Sequence, residues 1–270
     1  MIETLKAKAK ELLESGAIQG FLGLINKNGH IAPHLFTDPD ELEALSLGDR
    51  DKPGDARYPL TKYLIKIAKA HPDHTFGILV RGCDERSLKT LYNWNQLDPN
   101  QVVPVGFACP DELAEACECL QPYPDACEAG EKVSGRSFDS VARLDAMERR
   151  ERYDYWNEQF SKCIKCYGCR DVCPVCFCNE CTLASDDLIQ TKTFPTETPL
   201  FHLVRAVHMA GRCVDCGLCE QACPVGIPLR TLYKKIYSIM DSEFDYQMGY
   251  SEEKSPLNLL CQKTFIKDYT

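Results

Sequence analysis

The sequence predicts an α/β N-terminal domain with a small parallel sheet, followed by an all-helical metal-binding domain. Three observations carry this. Two short apolar runs, FGILV (76–80) and QVVPVGF (101–107), flank a helical stretch with a crossover of about 20 residues. That is the order of a right-handed parallel β-α-β unit. Beyond about residue 135 the apolar positions recur at helical spacing. Cysteine accounts for 17 of 270 residues, with none before Cys83, five between Cys83 and Cys127, eleven between Cys163 and Cys223, and Cys261 alone.

Taken in order, residues 1–15 read as a helix with Ile2, Leu5, Ala9, Leu12 and Leu13 on one face and Gly16 as its stop. Two apolar runs then flank Asn28-Gly29, a hairpin signal. TDPDELEALSL reads as a short helix capped by Thr37, with acids in its first turn. A polar link precedes the helix PLTKYLIKIAKAH. After FGILV, RGCDERSLKTLYNWNQL is helical beyond its first residues. Cys83 and Cys109 are expected in loops at the carboxyl ends of the two strands, the edge at which open α/β sheets bind ligands.

The Pro- and Gly-rich stretch 121–136 reads as a linker, and the boundary is placed near residue 135. The expected division is 1–135 (α/β), 136–243 (helical) and 244–270 (tail). Residues 137–160 read as one long helix, with Val141, Leu144, Met147, Tyr155 and Phe160 inward. PLFHLVRAVHMAGR reads as amphipathic, with Leu203, Val207 and Ala210 on its apolar side. IPLRTLYKKIYSIM follows with Leu229, Leu232, Ile236 and Ile239. The tail lacks clear periodicity and is a candidate to wrap a neighbouring subunit.

Composition narrows the function classes. Hydrophobic residues make up 44% and charged residues 26%, and mean hydropathy is −0.31, as in soluble globular proteins. No run of about 18 apolar residues is present, so no membrane insertion is expected. The first residues, MIETLKAKAKELLESG, do not read as a signal peptide, so a cytoplasmic location is expected. A net charge of −9 disfavours nucleic acid and anionic membrane as partners. Dense cysteine without an export signal points to metal rather than to disulfides.

Two stretches, KCIKCYGCRDVCP and RCVDCGLCEQACP, repeat C-x2-C-x2-C-x3-C-P. Three thiolates two residues apart can wrap one 4Fe–4S cubane, and the fourth, three residues on, reaches the other cluster. The expected ligands are Cys163, Cys166, Cys169 and Cys223 for one cluster, and Cys213, Cys216, Cys219 and Cys173 for the other. Zinc at four-cysteine sites more often shows separate C-x2-C pairs. The 40 positions from Cys173 to Cys213 exceed what a compact β-hairpin two-cluster ferredoxin needs.

Eight further cysteines could hold one or two more 4Fe–4S clusters. Cys83, Cys109, Cys117 and Cys119 could converge at the sheet's carboxyl edge, with Cys127 able to replace one of them. Cys176, Cys178 and Cys181 form C-x-C-x2-C, with Cys127 the most available fourth ligand. The alternative for Cys83, Cys109, Cys117 and Cys119 is a set of inert buried thiols, whereas loose buried cysteines rarely bunch as Cys176, Cys178 and Cys181 do, and Cys261 reads as inert. His202 and His208 read as packed or surface residues rather than ligands. Tyr167 and Arg170, inside the first run, could tune a cluster through packing and charge.

The helical cysteine-rich part, about residues 155–240, resembles the all-helical two-cluster ferredoxin domain of succinate dehydrogenase iron–sulfur subunits and of the small heterodisulfide reductase subunit. The first 130 residues are similar to β subunits of deazaflavin-dependent hydrogenases and formate dehydrogenases. The similarity lies in RYPLTKYLIKIAKAHPDHTFGILVRGCDERSLKTL, with its Lys-Tyr helix, strand, Arg81-Gly82-Cys83 loop and helix, and in the second strand VGFAC. That resemblance implies iron–sulfur clusters and FAD, and electron passage between a partner's clusters and a soluble carrier. No G-x-G-x-x-G or Walker motif is present for a Rossmann or P-loop nucleotide site. FAD therefore has no residue assigned to it.

The expected function is that of an iron–sulfur electron-transfer subunit of a multi-subunit anaerobic oxidoreductase, linked to heterodisulfide reductase, hydrogenase or formate dehydrogenase. Its partners would be other redox subunits, flavin- or metal-containing. The alternatives are a flavin-containing subunit acting on a deazaflavin or ferredoxin carrier, and a zinc-based interaction module.

Overall fold

A computed structural model describes residues 1–185 and 198–257. The chain forms two compact units, Met1–Ser137 and Phe138–Thr270.

In the first unit, helix α1 (Ile2–Glu14) buries Leu5 and Ala9 and ends before Gly16 at φ 71°. Strands β1 (Gly20–Lys27) and β2 (His30–Phe36) pair antiparallel, with Lys27 opposite His30. Asn28 and Gly29 make the turn at φ 54° and 81°, left-handed values that these two residue types adopt with least strain. The helical turn Pro39–Ala44 is capped by Asp38, whose carboxylate accepts the Asp40 amide at 3.0 Å. The cap is therefore Asp38 and not Thr37, because Pro39 takes the first helical position and makes its predecessor the cap.

Strand β3 (Leu45–Ser46) returns antiparallel to β1. Helix α2 (Leu60–Ala70) leads into β4 (Phe76–Val80), and α3 (Gly82–Asn93) leads into β5 (Val102–Gly106). The order is β2-β1-β4-β5, with β1, β4 and β5 mutually parallel. The sheet is thus mixed rather than parallel. A two-residue Asn-Gly turn can join only antiparallel strands, which sets β2 against β1. All five residues of β4 are buried, which explains its unbroken apolar run. Thr61 and Ser87, both fully buried, satisfy each other across α2 and α3 at 2.8 Å.

Helix α4 (Asp111–Ala116) follows β5. The stretch 121–136, expected as a linker, is docked on this unit. The Cys109 amide donates to the Pro122 carbonyl at 2.8 Å, Ala108 to Ala129 at 2.9 Å, and Glu128 back to Gly106 at 2.9 Å. Glycine makes room for it: a Cβ on Gly82 would lie 2.6 Å from the Gln121 carbonyl oxygen and 2.7 Å from that of Tyr123.

In the second unit the expected long helix is broken into α5 (Asp139–Asp145) and α6 (Arg149–Ser161). Arg152 braces the break by donating to the Leu144 carbonyl at 3.2 Å, which also accepts the Met147 amide at 3.2 Å. Val141, Leu144 and Phe160 are buried, and Met147 and Tyr155 are half-buried.

Helices α7 (Gly168–Asp171), α8 (Thr198–Met209), α9 (Leu218–Gln221) and α10 (Leu229–Phe244) complete the described residues of this unit. The inward faces of α8 and α10 differ from those expected. Leu203 and Val207 are 61% and 62% exposed, whereas Phe201, His202, Arg205, Ala206 and Met209 are buried. On α10, Leu229, Tyr233, Lys234, Tyr237 and Met240 are buried, and Ile239 is exposed. Polar and aromatic residues take these faces because part of what they enclose is lined by thiols rather than hydrocarbon. Of the tail, Tyr246 and Met248 pack on Tyr237 and Met240. Cys261 lies outside the described residues. No helix among the described residues is long and apolar enough to cross a membrane.

Candidate metal centres

The sequence repeat is also a backbone repeat. Lys165 and Asp215, each two residues beyond the first cysteine of its run, have φ 49° and 51°. Tyr167 and Gly217, two residues further, have φ 60° and 74°. These left-handed residues curl each run, turning amides toward sulfur. The Lys165 amide donates to Cys163 Sγ at 3.4 Å, and the Asp215 amide does the same for Cys213. Tyr167 holds this strained conformation with a hydroxyl that donates to the Leu183 carbonyl at 2.8 Å and with Arg170 stacked 4.4 Å over its ring. After each curl comes a single helical turn, α7 or α9. Beyond it lies the fourth cysteine, Cys173 or Cys223. The Ile227 amide donates to Cys223 Sγ at 3.4 Å.

Two recesses result. One is lined by Cys163, Cys166, Cys169 and Cys223. The other is lined by Cys173, Cys213, Cys216 and Cys219. Each takes three cysteines from one run and the fourth from the other. Burial pushes the Cys169 thiol up to about 11, with Cys163, Cys166 and Cys223 adding to the rise and Arg205 opposing it. Burial also drives Cys213 and Cys219 well up, with Cys173 and Cys216 acting on both. Such thiols stay protonated until a bound cation displaces the protons.

The polar atoms around the recesses fit a group that accepts hydrogen bonds and carries negative charge. Among the described residues, His202 in the first recess has both ring nitrogens buried without a partner, one of them a donor in the neutral ring, and the Tyr233 hydroxyl in the second recess and Nε of Arg205 beside it are likewise unpartnered. His202 is stacked on Phe160 at 4.6 Å, and His208 is exposed. Among the described residues no three His, Cys, Asp or Glu side chains are placed to hold a single metal ion.

In the first unit Cys83 lies in the first turn of α3 rather than in a loop, because the helix starts at Gly82 directly beyond β4. Cys109 lies beyond β5, Cys117 ends α4, and Cys119 follows. Burial pushes the Cys109 thiol up to about 11, with smaller rises from Cys119 and Cys117, and Cys83 in turn feels Cys109. Arg86, buried, donates to Cys119 Sγ at 3.8 Å and to the Gln121 carbonyl at 3.0 Å. The Cys127 thiol donates to the Ala129 carbonyl at 3.2 Å. In the second unit Cys178 is exposed and accepts from Arg212 at 3.8 Å, while Cys176 and Cys181 are half-buried against the core. Among the described residues no disulfide joins any cysteine.

Two side chains that line the second recess escape sequence reasoning: Arg205 on α8 and Tyr233 on α10. The available signal was an arginine three residues after His202 and four after Phe201, on what is otherwise an apolar helix.

Comparison with known proteins agrees with this chemistry. A family model described as a 4Fe-4S binding domain matches residues 206–228. F420-dependent formate dehydrogenase subunit beta of Methanocaldococcus jannaschii is 32% identical over 140 residues, 51% of this chain and 37% of that protein. F420-dependent formate dehydrogenase 1 subunit beta of Methanococcus maripaludis is 46% identical over 138 residues, 50% of this chain and 35% of that protein. The chain thus spans a little over a third of the length of these relatives. Half of it is similar to formate dehydrogenase β subunits, and its C-terminal region carries a match to a 4Fe–4S binding domain.

Proposed function

We propose that this chain is an iron–sulfur electron-transfer subunit of a multi-subunit anaerobic oxidoreductase. The observation that carries the reading is the pair of similar recesses, each lined by a complete, crossed cysteine quartet. In this reading Cys163, Cys166, Cys169 and Cys223 hold one 4Fe–4S cluster, and Cys213, Cys216, Cys219 and Cys173 hold a second. Bound there, such clusters supply one-electron stations. The chain's residues do the rest. Buried thiols release their protons to solvent as sulfur binds the metal, amides of Lys165, Asp215 and Ile227 donate to ligand sulfur, and the helices exclude water.

A third cluster on Cys83, Cys109, Cys117 and Cys119 extends the relay into the first unit. The mutual influence of these thiols and the Arg86 donor at Cys119 support it. Cys127, Cys176, Cys178 and Cys181 remain candidate ligands for a fourth. The partners are other redox subunits, flavin- or metal-containing, as in complexes built on formate dehydrogenase, hydrogenase or heterodisulfide reductase. Similarity to formate dehydrogenase β subunits favours the first of these.

The test is a set of repeated redox cycles on the anaerobically purified chain. Reduction by dithionite and reoxidation by a viologen dye should recover the same electron count each time. Formate or deazaflavin alone should leave the spectrum unchanged. A flavin absorption band that survives desalting, together with reduction by reduced deazaflavin, would replace this reading with the alternative: a FAD-containing subunit acting on a deazaflavin or ferredoxin carrier.

A further inference from the structure

Arg205 is 2% exposed, and its bulk makes it prominent among the fully buried side chains. Its Nη2 donates to the Cys169 carbonyl at 2.6 Å. Its Cζ lies 5.9 Å from the centre of the Tyr233 ring. Among the described residues no carboxylate pairs with it, and its Nε has no hydrogen-bond partner. A guanidinium does not give up its proton in a protein. A buried, permanent positive charge without an anion is strongly unfavourable. The missing anion has to come from what surrounds it.

What surrounds it is sulfur from both quartets. Arg205 is bonded to the backbone of Cys169, which lines the first recess, and it lines the second recess together with Cys173 and Cys219. The groups that bear on its charge are Tyr233 and the thiols of Cys173, Cys169 and Cys219. With protonated thiols the cation is uncompensated, and with thiolates it is paired on two sides.

Resting on the two-cluster reading, we propose that Arg205 is a counter-charge shared by both clusters, stabilising the added electron on either side and raising the two reduction potentials together. Each reduction adds one electron to a cluster and, at Arg205, moves no proton and breaks no bond. Net charge around a cluster is one of the levers on its potential. A cation held between two clusters acts on both, so the two stations stay matched when the surroundings change.

The experiment is an EPR-monitored redox titration of the anaerobically purified chain and three variants. Arg205→Lys keeps the charge but changes the shape. Arg205→Gln removes the charge and keeps a donor for the Cys169 carbonyl. Arg205→Met removes both. The expected result is that Gln and Met lower the reduced-to-oxidised ratio at least tenfold at a fixed potential, for both clusters. For a one-electron couple that is a midpoint fall of 59 mV. Lys should stay within threefold of the unmutated chain. If Gln and Met fail to retain iron while Lys retains it, the charge is required for assembly, which also supports the proposal. It is overturned if Gln matches the unmutated chain, if only one cluster shifts, or if Lys loses iron as well. The iron count of the unmutated chain separates this from its premise: fewer than about eight irons means the two-cluster reading itself fails, whatever Arg205 does.

Discussion

Cys223, the last cysteine of the second run, lines the same recess as Cys163, the first cysteine of the first run. The crossing follows from the single helical turn that separates the third and fourth cysteines of each run and carries the fourth thiol out of its own curl. It makes a prediction that spacing within one run does not. Cys223→Ser and Cys163→Ser should weaken the same cluster signal in EPR, each lowering iron by up to about four per chain. Cys173→Ser should instead pair with Cys213→Ser. If Cys223→Ser and Cys213→Ser erase the same signal, the runs bind independently and the crossing is wrong.

His202 predicts a pH dependence. Burial, helped by the charge of Arg205, pushes its pKa down to about 4. In the unfolded chain the ring titrates near 6.5. Between these values the unfolded chain binds a proton that the folded chain refuses, so stability falls as the pH drops from about 6.5 towards 4. The full effect is on the order of 3 kcal/mol. His202→Phe keeps a ring to stack on Phe160 but cannot titrate. Urea unfolding at pH 7 and pH 5 should show the unmutated chain losing more stability than the variant. Equal losses would mean that His202 is charged or reaches solvent in the folded chain.

Gly82 predicts a steric effect in the first unit. An added Cβ would press on the carbonyls of Gln121 and Tyr123, which are backbone atoms and cannot rotate away. Gly82→Ala should cost about 1–3 kcal/mol in denaturant unfolding, despite alanine's better helix propensity at a helical position. The displaced stretch carries the Pro122 carbonyl that holds the Cys109 amide, so iron bound by the Cys83 set should fall too. A stability gain would show that the 121–136 stretch is not seated as described.

What was legible in the sequence was local. Asn28-Gly29 names its own turn because two adjacent residues tolerate left-handed backbone. The cysteine runs name their chemistry because ligand spacing is a short-range property. The inward faces of α8 and α10 were misread because apolar periodicity counts only hydrocarbon. Leu203 and Val207 score as core, while His202 and Arg205, which face thiols, score as surface. The break between α5 and α6 has no glycine or proline to announce it, and the side chain that braces it at the Leu144 carbonyl, Arg152, lies eight residues on. The docking of 121–136 depends on Gly82 and Gly106, distant in sequence, so composition alone reads it as a linker.

The most direct measurement is iron and acid-labile sulfide per chain after anaerobic purification, with EPR of the reduced protein. The account predicts about eight irons and about eight sulfides from the two crossed quartets, rising to about twelve of each with the Cys83 set filled, and signals of reduced 4Fe–4S clusters. A colourless protein carrying stoichiometric zinc, with no sulfide and no EPR signal on reduction, would contradict it.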